Sequence, residues 1–403
     1  MRFFRRHWLA SSLSLAVVLL IGRVESVTDS LGNTVQSTVS LILPASYVIF
    51  SPFSRILDAL TLLSTQQTIA LLTSAALLVV ILTVTRSARS LPRGLAIGIV
   101  SFLVVALALE AAAAFLPRPM AALSAADPDV VGVDFHSHTG TSHDVRKSYD
   151  SEMNRDWHRS GGFDIAYVTD HVKFTDATAR ANNPARAGDG TSLLTGVEGR
   201  YHRIMSTIVL GISEADSVLL NKRGNMLPGA VSAGVPPVTI IALPNRNLDS
   251  VTTQLLDSAD ALPNLVAIEL IDAAPRGLAQ FDREEAKIRR VADELGLFLV
   301  AASNNHGYGR TVAAWNLMKM RGWRDRAPEE VGRELEQQLR ERRFGAVQIV
   351  QRTRPRVHGI ASVATLPIVA WQTLGSLTVI ERVVWLAWIW IPVLAFTFRR
   401  APD

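Results

Sequence analysis

The stretch Val130-Val131-Gly132-Val133-Asp134-Phe135-His136-Ser137-His138 decides how the rest of the chain is read. Residues 130–135 form a strand candidate, and the two histidines that follow stand at i and i+2, on one face of an extended segment. Working outward, similar β-rich runs occupy 163–169, 192–197, 205–210, 238–243, 265–271 and 297–302. Charged, helix-compatible stretches lie at 148–160, 250–259, 280–295 and 328–343. Alternation of this kind predicts an α/β fold, with a parallel sheet and crossover helices, open or closed into a barrel. In such folds the chemistry gathers at the carboxyl ends of the strands.

That rule selects among the polar residues. The second run ends Tyr167-Val168-Thr169-Asp170-His171, the third ends Thr195-Gly196-Val197-Glu198, and the last ends Ala302-Ser303-Asn304-Asn305-His306-Gly307. His143 follows His138 by five residues in the same loop. Neutral imidazoles with carboxylates suit Zn, Mn or Fe, whereas Mg and Ca prefer oxygen shells. Each feature also has a plainer reading: an incidental His-x-His pair, a helix cap at Asp170, a solvated loop carboxylate at Glu198, turn formers at Asn304 and Asn305. Their recurrence at successive strand ends is what favours a metal site.

In order and spacing, Asp134-Phe-His-Ser-His138-Thr, Val168-Thr-Asp-His171, Gly196-Val-Glu198 and Ser303-Asn-Asn-His-Gly307 resemble the polymerase and histidinol phosphatase (PHP) family of metal-dependent phosphoesterases. The resemblance covers about 130–320. It implies a distorted (β/α)7-type barrel with a metal cluster at its mouth. It implies also that His136, His138 and Glu198 hold one metal, with Glu198 bridging, and that His143, His171 and His306 form a second set. The departures are Asn304 where the family usually has aspartate, Leu243-Pro244 where it often has His-Pro, and Ser206-Thr207-Ile208 where a strand histidine is common. One or two divalent ions are therefore expected rather than three, with His202 a candidate to compensate.

If the family chemistry holds, metal-activated water attacks a phosphate ester. Asp170 and His171 are the expected catalytic residues, with Asp170 and Asp134 orienting ligand imidazoles or accepting protons. Arg200, Arg246, Arg310 and His202 are the substrate-binding candidates, because a guanidinium can grip phosphate through two nitrogens. The competing reading is a degenerate barrel, a membrane-bound metal or anion sensor or assembly module, motivated by Asn304 and the missing histidines.

Composition sets the surroundings. The 403 residues are 48% hydrophobic, lack cysteine and carry a net charge of +5. Thiol catalysis, disulfide scaffolds and Cys-ligated zinc are excluded. Residues 1–120 hold nine Arg, no Lys and four acidic groups, so the excess charge lies there and the middle of the chain is balanced. A nucleic-acid partner would want its basic patch on the folded domain, so none is expected, and the expected partners are a phosphorylated substrate and the lipid bilayer.

Apolar runs at 7–22, 67–85, 95–116 and 379–398 read as an uncleaved anchor and spans. Residues 39–53 are a further span, a re-entrant piece or an interfacial segment. The expected division is a membrane region at 1–120 with three or four helices, a hydrolase domain at 121–358, and an amphipathic segment with a last span at 359–403. Arginines at 2, 5, 6, 86, 89, 93, 399 and 400 fall on one side if three spans precede the domain. With those arginines inside, the domain is extracytoplasmic, in a bacterial-type inner membrane.

Overall fold

Strand pairing begins where the sequence places it, and the curl of the resulting sheet positions everything else. The computed structural model describes residues 7–22, 24–32, 39–86, 91–171, 176–201, 205–212, 237–244, 248–249, 253, 265–341, 346–357 and 359–398. Within these the strands are β1 (Val27–Asp29), β2 (Val39–Ile42), β3 (Ala122–Ala125), β4 (Val130–Ser137), β5 (Ile165–Val168), β6 (Ser192–Tyr201), β7 (Met205–Leu210), β8 (Val238–Ile241), β9 (Leu265–Asp272), β10 (Phe298–Ala302), β11 (Ala314–Lys319) and β12 (Val347–Arg352). Ten of them form one sheet in the order β1-β12-β11-β4-β5-β6-β7-β8-β9-β10, while β2 and β3 pair separately.

The pairs β4–β5–β6 and β8–β9–β10 are parallel, whereas β7 is antiparallel to both of its neighbours. This departs from the parallel sheet with crossover helices expected from the sequence, and the reason is chain length. β6 ends at Tyr201 and β7 starts at Met205, so the intervening residues can make a hairpin but not a crossover, which needs about a dozen. Helices Ser151–Gly161, Pro275–Leu295 and Pro328–Arg340 stand where helical stretches were expected. The expected helix at 250–259 lies almost wholly outside the described residues.

The sheet curls until β10 lies against β4. Asn304 N donates to His136 O at 2.9 Å and His138 N to Asn305 O at 3.1 Å. Lower in the seam the buried Asn316 amide donates to Val133 O (3.0 Å) and Ala301 O (2.7 Å) and accepts from Ala301 N (2.7 Å). One side chain thus joins β4, β10 and β11. Both faces of β4 and β9 are covered, which is why their sequences are near-continuous apolar runs.

The apolar helical part differs from expectation in two ways. Residues 39–53 are not a span: they form β2, the short helix Ala45–Ile49 and the start of helix Ser51–Thr61. Likewise β1, placed by sequence in the membrane region, pairs with β12 of the main sheet. Three helices among the described residues are long and apolar enough to cross a membrane, Thr65–Thr85, Pro92–Phe115 and Val379–Thr397. Two of these precede the barrel, and a shorter apolar helix, Trp8–Leu19, stands before them. Helix Trp8–Leu19 has 12 residues, about 18 Å at 1.5 Å per residue. It runs antiparallel along the last span, with Trp390 Nε1 donating to Ser14 Oγ at 2.8 Å and Arg382 reaching the carbonyls of Val17 and Leu20.

Helix Ser51–Thr61 has its polarity reversed. Arg55 and Asp58 are buried while Phe53 is 52% and Ile56 40% exposed, the arrangement of a helix lying in a membrane interface. Arg55 makes a two-pronged pair with Glu381 of the last span, at 2.7 and 2.8 Å. Asp58 accepts from Tyr47 (2.7 Å), Thr311 (2.7 Å), Arg118 (3.2 Å) and Arg352 (2.8 Å). Through Asp58 the interfacial helix, the linker after the second span and the barrel sheet share one buried charge.

Two stability predictions follow from these contacts. Removing Asp58 leaves Arg118 and Arg352 buried without their carboxylate, so Asp58→Ala is expected to cost about 3–5 kcal/mol, read as a lowered melting temperature of the full chain in detergent. Burial pushes the Asp164 carboxyl up to about 6 from 3.8, against the hydrogen bond it accepts from Gly132 N. Between those values the folded chain holds a proton that the unfolded chain has released, so this contribution to stability falls as pH rises through the window and is constant above it. Asp164→Asn should therefore flatten the melting profile between about pH 4 and 6; a steeper fall in the variant would contradict the assignment.

Candidate metal centre

The curl brings three strand ends and one loop to a common point. β4 delivers His136 and, one residue beyond its end, His138. β5 leads into His171, which is bridged in parallel register to Glu198 of β6. The loop after β10 brings His306 across the seam, so that the His138 and His306 rings are 4.7 Å apart.

Glu198 is the meeting point. Its Oε2 lies 3.4 Å from His136 Nε2, 3.4 Å from His138 Nε2 and 3.3 Å from His171 Nδ1. The two Nε2 atoms of His136 and His138 are 2.9 Å apart. Four ligands about 2.0–2.1 Å from a tetrahedral ion would stand about 3.3 Å from one another, so this triangle has the edge lengths of one face of such a site. Two further groups converge in the same way: His138 with His171 and His306, and His143 with Asp144 and His171. The second set implied by the resemblance is therefore redistributed, because His143 joins Asp144 and His171 while His138 stands with His306.

The surroundings orient these groups and set their charge. Glu269 Oε1 takes His136 Nδ1 at 2.7 Å, which leaves Nε2 facing the cluster, and Glu269 Oε2 accepts from Leu243 N at 2.7 Å. Such a carboxylate behind an imidazole fixes its ring and raises its basicity. Burial works against charge on His136, but Glu269 and Glu198 outweigh it and hold the imidazole well above its usual range. Burial lowers His138 and His171, favouring the neutral form that metals bind. Burial alone would raise Glu198, yet the hydrogen bonds of His136 and His138 keep it well below the usual carboxylate range. Asp272 is raised by burial and by the nearby Glu269.

Asp170 is fully buried, and its oxygens accept from Thr139 N (2.7 Å), Thr139 Oγ1 (2.6 Å) and Ser142 Oγ (2.7 Å). Those bonds shape the loop that follows His138. Asp134 braces the seam instead, through His158 Nε2 at 2.8 Å and Ser303 N at 3.0 Å. Asn304 adopts a left-handed backbone (φ 43°), donates to Asp272 at 3.0 Å, and keeps Oδ1 buried with no hydrogen-bond partner among the described residues. Arg310 is not brought to the cluster: its guanidinium bonds Arg118 O, Ser160 and Asp156. Arg200 is exposed on β6, two residues past Glu198 and so on the same face of the strand. His202 and Arg246 lie outside the described residues.

Sequence reasoning missed Asp144 and Glu269. Asp144 Oδ2 lies 3.4 Å from the Nε2 atoms of both His171 and His306. Its signal was adjacency to His143. Glu269 and Asp272 had a clearer one: two acids inside the otherwise apolar run Leu265–Asp272, where an unpaired charge would be costly.

No family model matches the chain, and no curated protein does. Among solved structures it is similar to PsfC from Pseudomonas syringae, with 12% identity and a TM-score of 0.36 over 60% of this chain and 97% of that one. It is similar also to PfuEndoQ from Pyrococcus furiosus, described as a lesion-specific endonuclease, with 12% identity and a TM-score of 0.36 over 55% of this chain and 57% of that one. The exclusion of nucleic acid drawn from charge is accordingly withdrawn. Electrical balance over a domain governs long-range attraction, not which phosphodiester a pocket admits.

If Glu198 is the shared ligand, Glu198→Ala should lower the divalent metal retained by the purified full chain by at least one ion. Glu269→Gln should weaken metal affinity by about 10–100-fold without abolishing it. Undiminished stoichiometry in Glu198→Ala, measured by elemental analysis, would exclude this cluster as the metal site.

Proposed function

We propose that the chain is a membrane-anchored, metal-dependent phosphoesterase. The observation that carries this reading is the single Glu198 oxygen standing 3.3–3.4 Å from imidazoles of three different histidines, two on β4 and its extension and one after β5. The donor set fits a divalent ion such as Zn, Mn or Fe, held by His136, His138 and Glu198, with His138, His171 and His306 or His143, Asp144 and His171 offering a second position. A divalent ion there supplies Lewis-acid chemistry, acidifying water and offsetting charge on phosphoryl oxygens.

The remaining work falls to the chain. Glu269 holds the His136 ring, and Asp170 holds the loop from Thr139 to Ser142, so both are positioning residues. Asp144, with a side chain 43% exposed beside His171 and His306, is placed to accept a proton at the mouth. Arg200, exposed on β6 two residues past Glu198, is a cation that could grip an ester oxygen.

The barrel is assigned to the extracytoplasmic side. Phe115 lies at the barrel, with Ala114 O accepting from Gly309 N, and Gln67 near the start of the first span donates to Pro355 O. The opposite helix ends, at Trp8, Arg86, Leu91 and Phe398, are those that the arginine-rich stretches adjoin in sequence. Those stretches favour the cytoplasm.

Metal-supplemented hydrolysis of p-nitrophenyl phosphate and bis-p-nitrophenyl phosphate by the full chain tests the reading. Turnover is expected, with His138→Ala lowering it at least about 100-fold. Turnover that survives loss of His138 would reject the mechanism, and stoichiometric metal without turnover would favour the sensor alternative that Asn304 motivates. The chain has no cysteine, so topology can be read by labelling introduced thiols. Glu330→Cys should react with an impermeant maleimide in intact spheroplasts and Arg93→Cys only after permeabilisation; the reverse pattern would invert the orientation.

A further inference from the structure

We propose that the phosphoester taken by this site belongs to a bilayer lipid, whose headgroup enters while its tails remain in the membrane. The proposal rests on the phosphoesterase reading above and deepens it. It comes from the loop that begins at His306. Two residues on, the Tyr308 ring packs edge-on against Phe115, the last residue of the span Pro92–Phe115, with centroids 5.7 Å apart and planes at 80°. Gly309 N donates to Ala114 O of that span at 2.8 Å, and Trp157 Nε1 donates to Gly309 O at 3.1 Å. Arg310 Nε then donates to Arg118 O, and Thr311 joins Asp58 and Thr61 of the interfacial helix. A single loop therefore carries a metal-directed histidine at its start and is fastened to the membrane end of a span over the next five residues.

Distance decides what this means. His306 is three residues from Gly309, so their Cα atoms are within about 11 Å. The interfacial layer on each side of the hydrocarbon is about 5–8 Å deep. The His306 backbone thus lies within about 11 Å of a residue bonded to the end of that helix, close to the depth at which a lipid phosphate would reside if the helix spans a bilayer. The rim fits such a ligand. Phe115, Leu116 and Tyr308 are 57%, 50% and 47% exposed, an apolar and aromatic edge of the kind found at headgroup level. Arg146, whose backbone N donates to His306 O at 3.2 Å, puts a half-buried cation beside the same loop. Together the rim offers apolar surface to acyl chains and positive charge to an anionic headgroup.

The test uses the full chain in phosphatidylcholine vesicles. Dioleoyl phosphatidic acid is compared with glycerol 3-phosphate, and dioleoyl phosphatidylglycerol with glycerophosphoglycerol, alongside bis-p-nitrophenyl phosphate and a single-stranded oligonucleotide. The vesicle-borne member of one pair should be turned over with kcat/KM at least about tenfold above its soluble partner. Tyr308→Ala should reduce that ratio severalfold, and Tyr308→Trp, which keeps an interfacial ring, should restore it. Soluble esters or the oligonucleotide turned over as well as or better than the lipids would overturn this proposal alone, as would a ratio unmoved in Tyr308→Ala. No turnover of any compound, bis-p-nitrophenyl phosphate included, would remove the phosphoesterase reading and this proposal with it.

Discussion

The seam between β4 and β10 is the constraint on which the rest of the structure depends. Backbone bonds from Asn304 to His136 and from His138 to Asn305 hold the two strand ends side by side. Beneath them the buried Asn316 amide satisfies groups on both strands at once. A buried amide left without such partners would be costly, so the same residue that closes the seam also fixes its register. Without that closure His306 would be far along an open sheet from His138, and the loop after it would not reach the second span.

From the seam the electrostatics follow. Buried carboxylates and imidazoles are tolerated only when each meets a partner, and here the partners form a chain: Asp272 with Asn304, Glu269 with His136, His136 and His138 with Glu198, Glu198 with His171. Within this chain Glu198 stays ionised, while burial raises Glu269 and Asp272. The result is an ionised carboxylate at the centre of three imidazoles, a donor set that a divalent cation can take over from the proton on His136. The same logic operates at the junction with the long apolar helices, where Asp58 gathers Arg118, Arg352, Tyr47 and Thr311. Thr311 belongs to the loop that starts at His306, so the two buried networks are five residues apart in the chain.

Much of the site was legible before any coordinates. His136, His138, His171 and His306 sit at or just past strand ends, which announce themselves through the apolar runs before them, whereas Glu198, read as the end of 192–197, lies inside β6, which runs on to Tyr201. Asp144 and Glu269 were not read, because their roles depend on neighbours from other strands. For Arg310, expected as a substrate contact, a position near a strand end carries no record of whether its nitrogens are already bonded to Arg118 O, Ser160 and Asp156. Residues 39–53 were ambiguous for a related reason. Their apolar side chains face outward at Phe50 and Phe53 against Trp388, while Arg55 and Asp58 turn inward, and composition cannot say which side is the inside.

By itself the sequence determined the local periodicities: apolar strands leading into metal-directed side chains, four apolar runs read as an anchor and spans, and arginines clustered beside their ends. These depend on near neighbours along the chain. Only the tertiary structure decided that β7 runs antiparallel, that β1 belongs to the main sheet, and that the histidine loop is fastened to Phe115. Those outcomes depend on which distant backbone and side-chain groups find partners when the sheet curls. Pairing across hundreds of residues is an energetic choice among alternatives that no short window of sequence contains.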